Sequence, residues 1–207
     1  MSNGRFIVFE GIDGAGKSTQ VELLKKRLEA EGRRVSVTAE PTELESGRAL
    51  RRALSGETPK SECQMASMFV LDRIAHNVEP ESGIRAVTES GSDLICDRYY
   101  YSTLAYQGQT TDYGWVKAMN LSCPEIKRPD LCIYLDLLPE QSLARIRKRG
   151  EAAEIYENME RLTAVRRAFL SVIEDLRAEG ERIYVVDASR DPETISDEIF
   201  AIVNKEI

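Results

Sequence analysis

A glycine-rich run near the N-terminus carries the residues with the clearest chemical potential in this chain. From Gly11 to Ser18 its spacing is G-x-x-x-x-G-K-[ST], with an apolar segment before it and a helical pattern after it. Glycines let successive backbone N–H groups turn inward, and the N-terminus of the following helix adds positive potential. Lys17 can then reach the β- and γ-phosphates of a nucleoside triphosphate, and the Ser18 hydroxyl can bind Mg²⁺. A chance glycine turn, the alternative, would not need the flanking strand and helix. The residues predicted to hold the triphosphate are Gly11, Ile12, Asp13, Gly14, Ala15, Gly16, Lys17, Ser18 and Thr19.

Charged side chains also follow two later apolar segments that read as strands. Glu40-Pro41-Thr42 follows the second strand, and Asp97-Arg98-Tyr99 follows the third. The carboxyl ends of parallel strands meet at one edge of a sheet, so we expect these residues beside the glycine-rich run. Asp97 can join the Mg²⁺ shell, and Arg98 can bind a phosphate with two parallel N–H groups. The alternative is a surface ion pair between the two side chains.

An aromatic ring and a guanidinium share one face of the helix predicted over Glu62–Val78. Phe69 and Arg73 are four residues apart, which places them one above the other. A flat ring beside a set of N–H donors would suit a planar base with carbonyl acceptors. The alternative is a core phenylalanine beside a solvated arginine, which periodicity alone favours.

A basic run closes the helix predicted over Pro139–Arg149. Arg145, Arg147, Lys148 and Arg149 lie just before Gly150, a residue that can act as a hinge. Cations stabilise the C-terminus of a helix by a few tenths of a kcal/mol each, which is one interpretation. The other is a lid whose arginine closes over a transferred phosphoryl group, where an arginine can raise the rate by about 10³–10⁵. The pattern leaves both interpretations open.

Strands and helices alternate along the chain, which predicts an α/β fold in one domain over residues 1–207. We expect a P-loop NTPase fold, with a five-stranded parallel sheet and helices on both faces. The predicted strands are Arg5–Glu10, Arg34–Thr38, Asp93–Cys96, Leu131–Leu135 and Arg182–Val186. The other predicted helices are Ser18–Glu31, Gly47–Leu54, about Tyr156–Ala178 and one from Pro192 with Asp191 as N-cap.

Composition narrows the class of protein. The 207 residues carry a net charge of −7, which argues against nucleic acid as a partner. Because the protein as a whole is acidic, a phosphate-bearing substrate would need a local cluster of arginines. The sequence shows neither an apolar run of membrane-spanning length nor a signal-peptide pattern, so we expect a cytoplasmic protein without a membrane partner. The four scattered cysteines predict free thiols. With His76 as the only histidine, the sequence argues against a Ser-His-Asp triad and a multi-histidine metal site.

Together these segments resemble thymidylate kinase over nearly the whole chain. The glycine-rich run alone is common to many families, whereas the combination of the remaining segments is much more specific. They are Glu40-Pro41, Phe69-Val-Leu-Asp72-Arg73, Asp97-Arg98-Tyr99, Ser102-Thr103-Leu-Ala-Tyr106-Gln107-Gly108, Arg128-Pro-Asp-Leu, Leu135-Asp136 and Asp187-Ala-Ser. The resemblance implies a nucleoside-monophosphate-kinase fold with a short lid at about 145–156, usually a homodimer. It also implies transfer of the γ-phosphoryl group of Mg·ATP to dTMP.

The resemblance further implies roles for individual residues. Phe69 would stack on thymine, Arg73 would bond a base carbonyl, Tyr106 would pack under the deoxyribose, and Arg98 with Arg51 would bind the acceptor phosphate. The implied dTMP-binding set is Asp13, Arg51, Phe69, Arg73, Arg98, Thr103, Tyr106 and Gln107. The implied catalytic set is Lys17, Asp13, Arg98 and Arg149, and the implied Mg²⁺ residues are Ser18 and Asp97.

Three departures from the family pattern bear on the phosphate contacts. Ala39 stands where many bacterial relatives have an arginine before Glu-Pro, so that contact is missing or replaced. Gly14 stands where some relatives carry an arginine in the phosphate loop, and Ile155 stands where a lid arginine often lies. The arginine that stabilises the transferred phosphoryl group must then be Arg145, Arg147 or Arg149. We favour Arg149 because it is closest to Gly150.

Other functions fit parts of the pattern. A kinase for dUMP, UMP or a deoxynucleoside is one alternative, although two acceptor-phosphate arginines favour a monophosphate. A GTPase-type switch would carry a guanine-reading Asn-Lys-x-Asp motif, which the sequence lacks. A nucleotide-binding regulator with little turnover would need a lid without its catalytic arginine.

Overall fold

The computed structural model describes residues 3–148 and 155–206, without the side chains of 155–158, and its centre is a five-stranded parallel sheet. The strands are β1 (Phe6–Glu10), β2 (Val35–Ala39), β3 (Asp93–Asp97), β4 (Leu131–Asp136) and β5 (Ile183–Asp187). Their order across the sheet is β2-β3-β1-β4-β5, with every pairing parallel. The predicted five-stranded parallel sheet is confirmed, and each strand differs from its predicted bounds by at most one residue at either end.

Helices connect the strands and form two packed groups. They are α1 (Lys17–Ala30), α2 (Glu45–Leu54), α3 (Glu62–Val78), α4 (Ile84–Glu89), α5 (Tyr100–Thr110), α6 (Tyr113–Leu121), α7 (Pro139–Lys148), α8 (Ile155–Ala178) and α9 (Pro192–Glu206). Helix α1 packs against α9 and the sheet, whereas α5 packs against α3, α6 and α8. The expected α/β architecture is thereby confirmed. The predicted N-cap of α9 is also present, since the Asp191 carboxylate accepts from the Thr194 N–H at 2.9 Å.

The pattern analysis assigned no helix to the segments that form α4, α5 and α6. In α5 the first six residues, from Tyr100 to Ala105, are all buried. A helix buried all round at its start shows no amphipathic stripe, so periodicity cannot reveal it. Helix α5 nevertheless matters most for the site, because it begins three residues after β3 and carries several of the predicted side chains.

The central strands of the sheet are buried in the hydrophobic core. Every residue of β1 is buried, as expected for a parallel strand covered on both faces.

All four cysteines are free thiols, with Cys96 and Cys132 buried in β3 and β4 as predicted. Among the described residues, no helix is both long and apolar enough to cross a membrane.

Candidate active site

The glycine-rich run forms a tight loop between β1 and α1. Gly11 adopts φ +146°, and a Cβ there would lie 2.7 Å from the carbonyl oxygen of Leu135. Gly16 adopts φ +95° directly before the first residue of α1. No side chain in the described part of the chain caps this helix start. Its first N–H groups therefore remain available for an anion, as in other phosphate-binding helix termini.

Lys17 lies under this loop as a buried cation. Its Nζ donates to the carbonyl oxygens of Gly11, at 3.0 Å, and Ile12, at 3.4 Å. Burial and the neighbouring Arg98 lower the pKa of the Lys17 ammonium to about 8. The loop, Lys17 and the ends of β2 and β3 enclose a space of about 450 Å³, which we call the phosphate cavity. It is lined by Gly14, Gly16, Lys17, Ser18, Asp97 and Arg98, among others.

Ser18 and Asp97 meet at one wall of the phosphate cavity. The Ser18 hydroxyl lies 3.4 Å from Asp97 Oδ2, while Asp97 Oδ1 is buried without a hydrogen-bond partner among the described residues. An unpaired carboxylate oxygen beside a hydroxyl suits a hard cation such as Mg²⁺. The described residues contain no group of three or more His, Cys, Asp or Glu that could hold a metal alone. These two residues fit a Mg²⁺ ion that takes its remaining ligands from phosphates and water.

Arg98 lies between the phosphate cavity and a second cavity. Its backbone has φ +71°, the one left-handed non-glycine residue in the described ranges. Its Nη2 donates to Asp13 Oδ1 at 2.5 Å, and its Nη1 donates to Ser102 Oγ at 3.0 Å. The alternative of a surface ion pair with Asp97 is therefore wrong, because the guanidinium donates to Asp13 and Ser102 instead. Arg98 can face anions bound on either side.

A buried carboxylate that the sequence analysis did not assign supports Arg98. Glu10, the last residue of β1, is fully buried. It accepts from the backbone N–H of Tyr99 at 2.8 Å and from the Ser102 hydroxyl at 2.6 Å. Burial raises the pKa of the Glu10 carboxyl, which the Arg98 charge and these hydrogen bonds partly oppose. The sequence signal that could have identified Glu10 is a carboxylate at the end of an otherwise apolar strand.

The second cavity, of about 280 Å³, lies between α3, α5 and α8. We call it the aromatic cavity; its walls include Phe69, Arg73, Tyr99, Thr103, Tyr106 and Gln107. Phe69 is half-buried at the wall, so it is not a core residue. Arg73 is 1 % exposed, and its Nε and Nη2 donate to Glu40 Oε2 at 2.9 and 2.6 Å. The alternative of a solvated Arg73 is therefore wrong.

Two further arginines, Arg51 and Arg161, differ in their relation to the cavities. Arg51 does not contribute to the described walls of either cavity. Its guanidinium instead donates to the carbonyl oxygens of Pro41, at 2.6 Å, and Thr42, at 2.7 Å, and so supports the segment after β2. Arg161 lines the aromatic cavity from α8. Its position four residues before the buried Val165 is the signal that could have placed it on the inner helix face.

Of the basic residues predicted to form the lid, the structure describes Arg145, Arg147 and Lys148. Arg145 donates to the carbonyl oxygen of Ala188 at 2.8 Å and lies against the glycine-rich loop. It lines a third cavity of about 390 Å³ together with Lys148, Arg190 and Pro192. Arg147 is exposed. Arg149, the favoured lid arginine, lies outside the described residues, as do the other positions up to 154.

Comparison with known proteins decides the family. The family model described as thymidylate kinase matches residues 9–199. The chain belongs to the thymidylate kinase family. A probable thymidylate kinase of Pyrococcus horikoshii is 37 % identical over 99 % of this chain and 98 % of its own length. A probable thymidylate kinase of Methanosarcina barkeri is 37 % identical over 95 % and 94 % of the two chains. A thymidylate kinase of Leptospira interrogans is 35 % identical over 86 % of each. The chain is thus an enzyme of the nucleoside-monophosphate kinase class.

Proposed function

We propose that this chain transfers the γ-phosphoryl group of Mg·ATP to dTMP, giving dTDP and ADP. The observation that carries the proposal is the junction of the two cavities. Asp13, Glu40 and Arg98 line both the phosphate cavity and the aromatic cavity. A triphosphate on the glycine-rich loop and a nucleotide in the aromatic cavity would therefore meet at the Arg98 guanidinium.

The chemistry requires positioning more than covalent work. The phosphate of dTMP is an anion at neutral pH, so its attack on the γ-phosphorus needs no strong general base. The two anions repel each other, and Lys17 and Arg98 offset that repulsion while charge spreads over the moving group. Ser18 and Asp97 would hold Mg²⁺, which would neutralise part of the phosphate charge. Asp13 holds the Arg98 fork beside the acceptor.

The nucleoside half of dTMP occupies the aromatic cavity in this proposal. Phe69 stacks on thymine, Arg73 donates to a base carbonyl, and Thr103 and Gln107 complete the pocket. Tyr106 lies under the deoxyribose, where its ring also packs edge-on against Phe169 with centroids 6.0 Å apart. This rigid floor would crowd a 2′-hydroxyl.

The donor nucleotide extends from the loop toward α7 and α9. The third cavity lies beside Gly14 and Gly16 and takes in Arg145 and Arg190. We place adenine there, with Arg145 beside the loop carbonyls. Arg149 remains the lid arginine that this proposal assigns to the transferred group, on the strength of its place in the sequence.

A coupled assay of ADP release tests the function. The enzyme is given Mg·ATP with dTMP, dUMP, UMP, CMP or thymidine. We expect dTMP to give the highest kcat/KM, with thymidine inactive because it lacks the acceptor phosphate. A higher kcat/KM for UMP or dUMP than for dTMP would mean that the acceptor base is uracil and not thymine. ATP binding without ADP release for any acceptor would identify a nucleotide-binding regulator instead.

The low pKa of Lys17 predicts a pH dependence of ATP binding. The ammonium is charged below pH 8 and loses its proton as the pH rises above that value. Phosphates bind the charged form, so they raise the Lys17 pKa, and binding above pH 8 takes up a proton. The Kd for Mg·ATP should therefore increase by up to about tenfold per pH unit above 8, since one proton is coupled. Calorimetry between pH 7 and 9.5 measures it, and Lys17→Gln should bind weakly with a flat profile.

Loss of the Phe69 ring should affect the acceptor and spare the donor. We expect Phe69→Ala to raise KM for dTMP by about 10–100-fold, because a stacked ring contributes on the order of 1–3 kcal/mol. KM for ATP should stay within twofold, since Phe69 lines only the aromatic cavity. Val78→Ala, an exposed change on the same helix, is the control. Equal losses of ATP and dTMP affinity would indicate a packing role.

We further propose a homodimer in the cytoplasm. Leu71 and Trp115 are 59 % and 38 % exposed and lie with Met68 along a shallow apolar groove between α3 and α6. A contiguous exposed apolar patch favours a protein partner, and a second copy of this chain is the partner proposed here. The free cysteines support a reducing compartment. Sedimentation of Leu71→Lys beside the unaltered protein tests the dimer.

A further inference from the structure

The guanidinium of Arg73 is held by three side chains from three parts of the chain. Its Nε–H and one Nη2–H go to Glu40 Oε2, and the second Nη2–H goes to Thr103 Oγ1 at 3.1 Å. One Nη1–H goes to Asn120 Oδ1 at 2.5 Å. An arginine has five N–H donors. Among the described residues, a single Nη1–H of Arg73 is thus left without a protein acceptor, and Arg73 lines the aromatic cavity.

This arrangement also removes the net charge of Arg73. Arg73 and Glu40 are 1 % and 3 % exposed and form a buried ion pair. His76 Nδ1 contacts the other Glu40 oxygen at 3.0 Å. The Arg73 guanidinium also lies over the Tyr99 ring, 5.0 Å from its centroid. A guanidinium whose charge is paired and whose position is fixed by hydrogen bonds suits a neutral acceptor such as a base carbonyl. The phosphate of the nucleotide would be bound by Arg98 instead.

Asn120 is built to present one oxygen to Arg73. It is 1 % exposed on α6, and its Nδ2 donates to the carbonyl oxygen of Val116 at 2.9 Å. That bond fixes which end of the amide is the oxygen. Glu40 holds one edge of the guanidinium, and Asn120 is the described contact of the remaining nitrogen. Without Asn120, Nη1 would have two unsatisfied donors, and the guanidinium could turn about the Glu40 edge.

We propose that Asn120 is a positioning residue for base recognition: it occupies one Nη1–H of Arg73 so that the other points at a base carbonyl. The inference rests on the proposed function, because it needs a pyrimidine in the aromatic cavity. A single fixed donor pairs with the 4-carbonyl of thymine or uracil and faces the amino group of cytosine, which is also a donor. Asn120 would thereby set the preference for a carbonyl-bearing base without touching it.

Asn120→Leu, which keeps the branched shape of the side chain and removes the oxygen, tests this inference. We expect KM for dTMP to rise about tenfold, with kcat within threefold and KM for ATP unchanged. The rise should be equal for dTMP and dUMP, which share the 4-carbonyl, so their ratio is preserved. The ratio of kcat/KM for dTMP over dCMP should fall at least fivefold. Asn120→Ala serves if the leucine variant does not fold.

Leu121→Ala is the matched control, because Leu121 packs against the core from the same helix and is not a side-chain partner of Arg73. It should lower thermal stability and leave KM for dTMP and the dTMP-to-dCMP ratio unchanged. A folded Asn120 variant with both quantities within twofold of the unaltered enzyme overturns the inference. So does a Leu121→Ala enzyme that reproduces the Asn120 effects. If the unaltered enzyme does not phosphorylate dTMP, the proposed function fails first, and the comparison of variants is not reached.

Discussion

Lys17→Ala should leave a folded enzyme whose kcat is lower by about 10²–10³-fold or more. The Lys17 ammonium is the buried cation under the glycine-rich loop, and its Nζ lies 3.0 Å from the Gly11 carbonyl oxygen. In a water-poor site, a fixed charge that meets the developing charge of the transition state is worth far more than in water. The loss corresponds to about 3–4 kcal/mol of transition-state stabilisation at the stated fold-change.

Single-turnover rates with saturating Mg·ATP and dTMP measure this effect apart from binding. Lys26→Ala, an exposed change on the same helix, should keep the full rate and serves as the control. Circular dichroism and a thermal unfolding curve establish that the variant is folded. A folded Lys17→Ala enzyme that retains more than about a tenth of the rate, a difference of only 1.4 kcal/mol, would contradict the phosphoryl-transfer role.

The phosphate cavity was predictable because its chemistry is local in sequence. The glycine spacing, Lys17 and Ser18 lie within eight residues, and the position of Asp97 follows from a parallel sheet whose strand ends meet. The strands themselves were found within one residue, since buried parallel strands are continuous apolar runs. Family resemblance then supplied candidate roles for the side chains of α3 and α5.

The aromatic cavity was less predictable because its polar contacts join distant positions. Arg73 contacts Glu40 at a separation of 33 residues and Asn120 at a separation of 47. Periodicity favoured a solvated Arg73, since charged residues are rarely buried unless paired. The pairing partners come from the segment after β2 and from α6, and no local pattern connects them. Arg51 is the opposite case. The resemblance assigned it to the acceptor phosphate, whereas in the structure it donates to the backbone carbonyls of Pro41 and Thr42.

Arg98→Asn should lower kcat/KM for dTMP by about 10³-fold or more, through both kcat and KM. Arg98 lines both cavities, and an arginine at the transferred group can contribute about 10³–10⁵ in rate. Its contact with the acceptor phosphate would be lost in the ground state as well, which raises KM. Asparagine is the informative replacement, because it tolerates the left-handed backbone that Arg98 adopts at φ +71°.

Two companion variants separate charge from geometry at this position. Arg98→Lys keeps the charge but lacks the fork that joins Asp13 and Ser102, so it should recover only part of the loss. Arg167→Asn, on the exposed side of α8, should have full activity. Thymidine binding by calorimetry should be nearly unchanged in Arg98→Asn, because thymidine carries no phosphate. If that variant keeps kcat/KM within tenfold of the unaltered enzyme, or loses thymidine binding as strongly as dTMP binding, Arg98 is not the residue that joins the two anions.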